Sequence, residues 1–311
     1  MLNIVGNKKI FFIVSGILVG ASLFAIAIFG FKEGIDFTGG TLWQFRIPAA
    51  NVSLGYLENF FKNNLGIPDA RINYDAANNS FLARFGEVNE AGHQEYLSAF
   101  KDEWPMFEEL SFQSIGPTVG AGLKNNALIA IALVLVGISL YIAYAFRKAS
   151  QPVSSWKYGW MTLLSLFHDV SIPAGLLAIL GRTHFIEIDS NFVVALLVIM
   201  GFSVHDTIVV FDRIRENLIL NRGKEGFEKI VNDSVNQTLA RSINTSLTLI
   251  LVLLALYFTG PINLRYFILT LLVGVVTGIY SSIFIASPGL LLLRPSSIDK
   301  GGGNRVIHKA Y

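Results

Sequence analysis

Apolar positions along this chain fall into six runs of roughly twenty residues, at 10–30, 126–146, 158–180, 191–211, 242–260 and 266–293. At 1.5 Å of rise per residue, about twenty helical residues cover the ~30 Å hydrocarbon core of a bilayer. Six membrane-spanning helices are therefore predicted, the last five forming a bundle over 126–293. The first run, IFFIVSGILVGASLFAIAIFG, follows Lys8 and Lys9 as a signal peptide would. It is too long for a usual signal core, and Phe31-Lys32-Glu33 is a poor cleavage site, so a retained helix is expected.

Between the first two runs, residues 31–125 follow another rhythm. TLWQFRI (41–47) alternates, with Trp43, Phe45 and Ile47 on one face and Gln44 and Arg46 on the other, the mark of a half-buried strand. SLGYLENFFKNNLG (53–66) opens on a capping Ser53, spaces Leu54, Leu57, Phe61 and Leu65 helically, and stops at Gly66. RINYDA and FLARF flank Asn78 and Asn79 as a hairpin, residues 89–105 read as a helix with His93 in its polar part, and ELSFQSIG (109–116) reads as a strand. The order β-α-β-β-α-β is the ferredoxin-like plan. The predicted fold class is thus a polytopic α-helical membrane protein with a small α/β domain between its first two spans.

Composition agrees: 52% of the residues are hydrophobic, 15% are charged, and the mean hydropathy is +0.54. With no cysteine there is no disulfide or thiolate metal site, and no metal or cofactor is expected. The net charge of +2 points to no nucleic-acid partner. Its distribution is more telling. The N-terminus (1–9), the 147–157 and 212–241 loops and the tail 294–311 hold 15 of the 24 Lys and Arg, whereas the short loops on the other face hold only Arg182 and Arg265. By the positive-inside rule both termini are expected in the cytoplasm and 31–125 outside it. That outer domain carries twelve acidic against seven basic residues, a solvated acidic surface.

Against this background Asp206, inside GFSVHDTIVVFDRIREN (201–217), stands out. Fifteen residues into a span entered from outside, it lies about 7 Å within the cytoplasmic edge. Carboxylates at such depth cost ~2.5–3.5 kcal/mol on insertion scales, face a bundle interior and serve transport. RSINTSLT (241–248) places Arg241, Asn244, Thr245 and Thr248 on one stripe, from which the long Arg241 side chain is expected to reach Asp206. A carboxylate that alternates between an arginine and a proton is a relay; held permanently, the same pair only fixes helix register. Asp169, midway along the third run, is either a second relay group or a hydrogen-bonding polar residue, and His168 is expected to point about 100° away from it. Pro173 loosens this helix one turn on. His205 is expected on a different face from Asp206. Gly16 and Gly20 in the first run, and Thr270, Gly274, Thr277, Gly278 and Ser281 in the last, are expected to allow close helix approach. Asp212, Arg213, Arg215 and Glu216 read as a solvated helix end.

Taken in order, GIDFTGG (34–40), IGPTVGAGL (115–123), HDV (168–170) with Gly175, GFSVHDTIVVFDRIREN and RSINTSLT resemble the SecF family of bacterial protein-export subunits across essentially the whole chain. The resemblance implies half of a resistance-nodulation-division type transporter in the bacterial plasma membrane, completed by SecD. It also implies that the pair uses the proton gradient to draw preproteins outward through the SecYEG channel after the ATPase SecA, an indirect partner, has pushed them. On the same ground Asp206 matches the proton-pathway carboxylate and Arg241 its basic partner, with Asp169, Thr245 and Thr248 as further pathway candidates. Gly34, Asp36, Phe37, Thr38, Gly39 and Gly40 match the family's glycine motif. The chain departs from the pattern at His205, where Asn is more usual, at Gly122, where an acidic residue is common, and in the Ser-rich connection 147–159. No enzyme is expected, since an aspartyl intramembrane protease would carry Gly-x-Gly-Asp where this chain has Ser-Val-His-Asp. The remaining alternatives are a scaffold of the export complex that moves no protons, or a half-unit of another proton-coupled exporter.

Overall fold

The computed structural model describes residues 2–48, 52–75, 79–147, 154–184, 186–221, 224–260 and 264–293. Asn78, most of the 147–157 connection and the 294–311 tail lie outside them. Along the chain α1 (Lys8–Phe29) is followed by a single turn, α2 (Ile35–Thr38), and then by β1 (Gly40–Arg46), α3 (Leu54–Asn63), β2 (Arg71–Asp75), β3 (Ser80–Phe85), α4 (Glu90–Glu103) and β4 (Glu108–Ile115). Five long helices complete it: α5 (Pro117–Ala145), α6 (Ser155–His184), α7 (Ser190–Asn221), α8 (Phe227–Thr259) and α9 (Arg265–Ser281). Among the described residues six helices are long and apolar enough to cross a membrane. The residues form two compact units, one of Lys32–Ala130 with Glu187–Val193, the other of the remaining segments.

The α/β unit has the strand order β2-β3-β1-β4 with every neighbour antiparallel, which is the ferredoxin-like arrangement read from the alternation. Trp43, Phe45 and Ile47 point inward as expected, and pack with Phe61 and Phe100 in an aromatic core whose Trp43–Phe100 centroids are 4.8 Å apart. Offset and edge-on ring pairs of this kind contribute about 0.5–1.5 kcal/mol beyond their buried area. Ser53 caps α3 by accepting from the Tyr56 amide at 3.2 Å. The buried face of α3 is Leu57, Phe60 and Phe61, however, and Leu54 is exposed. Leu54 lies in the first turn, ahead of the point where the helix meets the sheet. The chain turns at Gly66 with φ +70°, three residues after the helix ends. His93 is also not where a polar helix surface would put it. It is buried, stacks on Phe112 at 3.6 Å, and its Nε2 lies 2.7 Å from Glu109 Oε2, which also accepts from the Trp43 indole at 2.8 Å.

In the helical unit α6 packs against α1 and α9, and α8 against α9. Gly16 and Gly20 meet nothing, whereas a Cβ on Gly175 would lie 2.4 Å from Ser22 Cβ, so the close α1–α6 contact uses Ser22 against Gly175. Gly274 and Gly278 do serve contact, with added Cβ atoms 2.2 Å from Ile199 and 3.3 Å from Ser203. The 212–241 segment is mostly helix rather than loop: α7 runs on to Asn221 and α8 begins at Phe227. Its apolar residues Phe227, Ile230, Val231 and Val235 are buried, and Asn232 Oδ1 accepts from the Ile4 and Val5 amides at 3.0 and 3.2 Å, tying down the N-terminal segment. Past Ser281 the last helix widens into a π turn, Ser282–Ala286, before a final turn at Ser287–Gly289. Pro288 explains the widening, since it has no N–H to give the carbonyl four residues back and its ring crowds that carbonyl.

Candidate functional site

Small hydroxyl residues scattered through the apolar helices converge in the helical unit into one buried polar seam. Ser and Thr pack nearly as tightly as Ala, so a helix can turn them inward provided each hydroxyl finds an acceptor. On α6, Asp169 is fully buried. Its Oδ2 accepts from Ser203 on α7 at 2.5 Å and from Ser281 on α9 at 2.7 Å. Its Oδ1 lies 2.8 Å from His168 Nδ1. The adjacent histidine thus does pair with it, contrary to the 100° expectation, because the imidazole is long enough to swing back across the helix surface. Below this cluster Thr207 and Ser282 share a hydrogen bond at 2.8 Å, with Ser282 supplied by the π turn.

Asp206 sits one turn beyond Ser203 on α7 and is 2% exposed. Its hydrogen-bond partner among the described residues is Ser246 on α8, at 3.4 Å. Arg241 does not reach it. Ser242 and Ser246 face inward on α8, while Arg241, Asn244, Thr245 and Thr248 are exposed. Arg241 borders a groove with Asp212, Arg213, Glu216 and Gln237, and Thr245 and Thr248 donate to carbonyls of their own helix, Arg241 O at 2.9 Å and Thr245 O at 2.7 Å. His205 is exposed, on a different face from Asp206 as the spacing implied. Arg213 bonds Glu216, and Arg215 bonds Asp212, as local surface pairs. No group of three potential metal ligands clusters among the described residues.

The glycine motif forms a second constellation, wholly within the α/β unit. Gly39 and Gly40 have φ of +74° and +118°. A Cβ on Gly39 would come 2.7 Å from Pro117 Cα, and one on Gly120 2.9 Å from Gly39 N, so α5 can begin against the motif only where side chains are missing. Asp36 Oδ2 accepts from the Ser190 amide at 2.9 Å, and Asp189 Oδ1 from the Phe192 amide at 2.9 Å. Two of the four free N–H groups at the start of α7 thereby meet carboxylates, which the helix dipole also favours. Gly34 N and Ile188 O, at 2.8 Å, extend the clamp, and Arg84 pairs with Glu187. Burial first, and the like charge of Arg71 second, pull Arg84 below the usual guanidinium value. Sequence reading marked the motif but not this partner, because the two ends are 154 residues apart.

Two family models match the chain: "Protein export membrane protein SecD/SecF, C-terminal" over residues 95–296, and "SecD/SecF GG Motif" over 24–46. The protein translocase subunit SecF of Thermobaculum terrenum is 42% identical over 298 residues, covering 92% of each chain. That of Anaerolinea thermophila is 38% identical and covers 94% of each. The protein translocase subunit SecDF of Thermus thermophilus is 37% identical over 92% of this chain but only 37% of its own length. A crystal structure of that organism's SecDF, a translocon-associated membrane protein, superposes with a TM-score of 0.78 at 34% identity over 94% of this chain and 38% of its own.

Proposed function

Because the chain belongs to the SecD/SecF family of protein-export membrane proteins, we propose that it is the SecF-type half of a pair with SecD that uses the proton gradient to promote preprotein movement through SecYEG. The family membership gives a role in protein export; the coupling is our reading of the seam. The observation that carries it is Asp206, a carboxylate almost wholly removed from solvent, with one hydroxyl partner and no cation in ion-pair contact among the described residues. Burying an unpaired ionised carboxylate is strongly unfavourable, and that is why the coupling is assigned to this residue.

In this reading Asp206 takes a proton while it faces Ser246, and Arg241, which lines a groove with Val209 and Asp212, receives the ionised Asp206 after a rotation of α8. The two states then differ in charge and in helix contacts, which coupling requires. One charge crossing 100 mV is worth ~2.3 kcal/mol, so a few protons per cycle can bias a rocking domain and oppose chain backsliding. Asp169 lies on the same seam, and Thr245 and Thr248 on the face that would meet SecD. The basic residues of the 1–9, 147–157 and 212–241 segments orient the chain in the bacterial inner membrane with both termini in the cytoplasm and the α/β unit outside, where emerging preproteins are.

The test uses vesicles containing this protein, SecD, SecYEG and a preprotein arrested midway by SecA, with ATP then exhausted and a proton gradient imposed. Completion is expected to need the gradient and to be lost in Asp206→Asn at matched assembly. Full completion in that variant would make Asp206 structural and the protein a scaffold.

A further inference from the structure

His168 has a feature that neither the fold nor the Asp206 reading uses. The residue is 4% exposed, and its Nε2 is buried with no hydrogen-bond partner among the described residues. A buried polar nitrogen without a partner is rare in a folded chain. Here it belongs to a ring whose other nitrogen lies 2.8 Å from Asp169 Oδ1.

One proton must lie on the Nδ1···Oδ1 line, and the surroundings decide where. Asp169 Oδ2 already takes two hydroxyl donors, Ser203 and Ser281, so that oxygen acts as an acceptor and Oδ1 is left to receive from the ring. Nδ1 therefore carries the hydrogen and donates it, which leaves Nε2 with a bare lone pair. The pair as a whole holds one negative charge in a buried site. Ionisable groups from every neighbouring element leave that charge uncompensated. Beyond Lys9, α1 has none and offers Ser15; α9 offers Tyr280, whose ring stacks on His168 at 5.9 Å and whose hydroxyl donates to Phe11 O at 3.1 Å; α7 offers Asp206, also acidic, and His205, which is exposed. On α6 itself Lys157 and Arg182 lie three or more turns away.

We propose that His168 is a second proton-binding site of the helical unit, with Nε2 the atom that takes the proton and Asp169 the anion that holds it. The step is a transfer from water. The Nε2 lone pair forms the new N–H bond, the donor loses its proton, and the buried pair passes from net negative to neutral as an imidazolium–carboxylate couple. The site communicates with Asp206 through α7, because Ser203, which donates to Asp169, lies one turn before Asp206 on the same helix. Its use in transport rests on the proton-coupled reading above; its existence does not.

The experiment takes the full chain co-assembled with SecD in lipid vesicles, with histidine labelled by nitrogen-15. The chain has five histidines, and the signals absent from His168→Gln identify this one. Between pH 9 and 5, Nδ1 is expected to stay protonated while Nε2 passes from bare to protonated. In Asp169→Asn the midpoint should fall by at least about one pH unit, a tenfold loss of proton affinity. A bare Nδ1 with a protonated Nε2 at high pH, a ring that stays neutral down to pH 5, or an unmoved midpoint in Asp169→Asn each overturns the proposal. The two readings fail separately. Loss of gradient-driven completion in Asp206→Asn beside a non-titrating His168 sinks only this inference. A titrating His168 beside an Asp206→Asn variant that still completes translocation sinks only the coupled reading.

Discussion

At Asp206 and Arg241 a single step around a helix decides the geometry. Distance along the axis, which sequence spacing gives well, puts Arg241 more than a turn from the level of Asp206, which bonds Ser246 five residues further along α8. Rotation about the axis is what spacing left open, and it turns Ser242 and Ser246 inward while Arg241, about 100° earlier, faces out. The His168–Asp169 pair was missed for a related reason, since neighbouring Cβ directions diverge but an imidazole can return. Ser203, Ser242 and Ser246 were missed, and Ser281 was marked only for close packing, because a hydroxyl in an apolar run carries no periodic signal. Their weight is measurable: Ser203→Ala and Ser281→Ala each remove a donor from the buried Asp169 carboxylate and should lower stability by about 1–3 kcal/mol, read as thermal unfolding in detergent, with the double variant departing from additivity. A pH effect belongs to this scale as well. Burial, then the charge of Glu95, raises the Tyr96 hydroxyl above its usual range. A raised folded value gives stability that is complete below the unfolded value of about 10 and is lost as pH rises through the folded one. The contribution is small because the ring is partly exposed. Denaturant midpoints between pH 9 and 11 should fall, and the slope should flatten in Tyr96→Phe.

Among the elements, those with strong periodicity were legible. The alternation of 41–47 fixed the inward face of β1, and Ser53 marked the start of α3. The six long helices followed from run length, but the runs understated α7 and α8 because charged residues past the apolar core continue both helices. The π turn had a signal in Pro288, although no rule says whether a helix meets a proline by bending, ending or widening. Most of all, the glycine motif reads as a loop in sequence and is a cap in space. Asp36→Ala removes the acceptor for the Ser190 amide and should cost about 0.5–2 kcal/mol, with Asp36→Asn recovering most of it. Gly39→Ala should cost more, since it combines a left-handed φ worth roughly 1–2 kcal/mol with a clash on Pro117. Resistance of the 187–193 segment to limited proteolysis, measured on the full chain, would report both.

For the molecule as a whole, the polar stripe of α8 stands outside the core of this chain. Arg241, Asn244, Thr245 and Thr248 are exposed there, and in the SecDF relatives this chain corresponds to little more than a third of a longer polypeptide. Since the chain has no cysteine, Thr248→Cys gives a unique thiol, and it should cross-link to a cysteine placed on a SecD helix far faster than a control at Leu133 on α5; equal rates would put SecD on another face. The clamp on α7 bears on synthesis as well. The carboxylate that closes the first turn of α7 is made 154 residues before that turn, which at about 5–20 residues per second is a lead of roughly 8–30 seconds. The 32–130 part of the α/β unit therefore has time to fold before the segment that completes it is made. The early residues wait for their last segment, and an error in them would surface as an uncapped helix start made long afterwards.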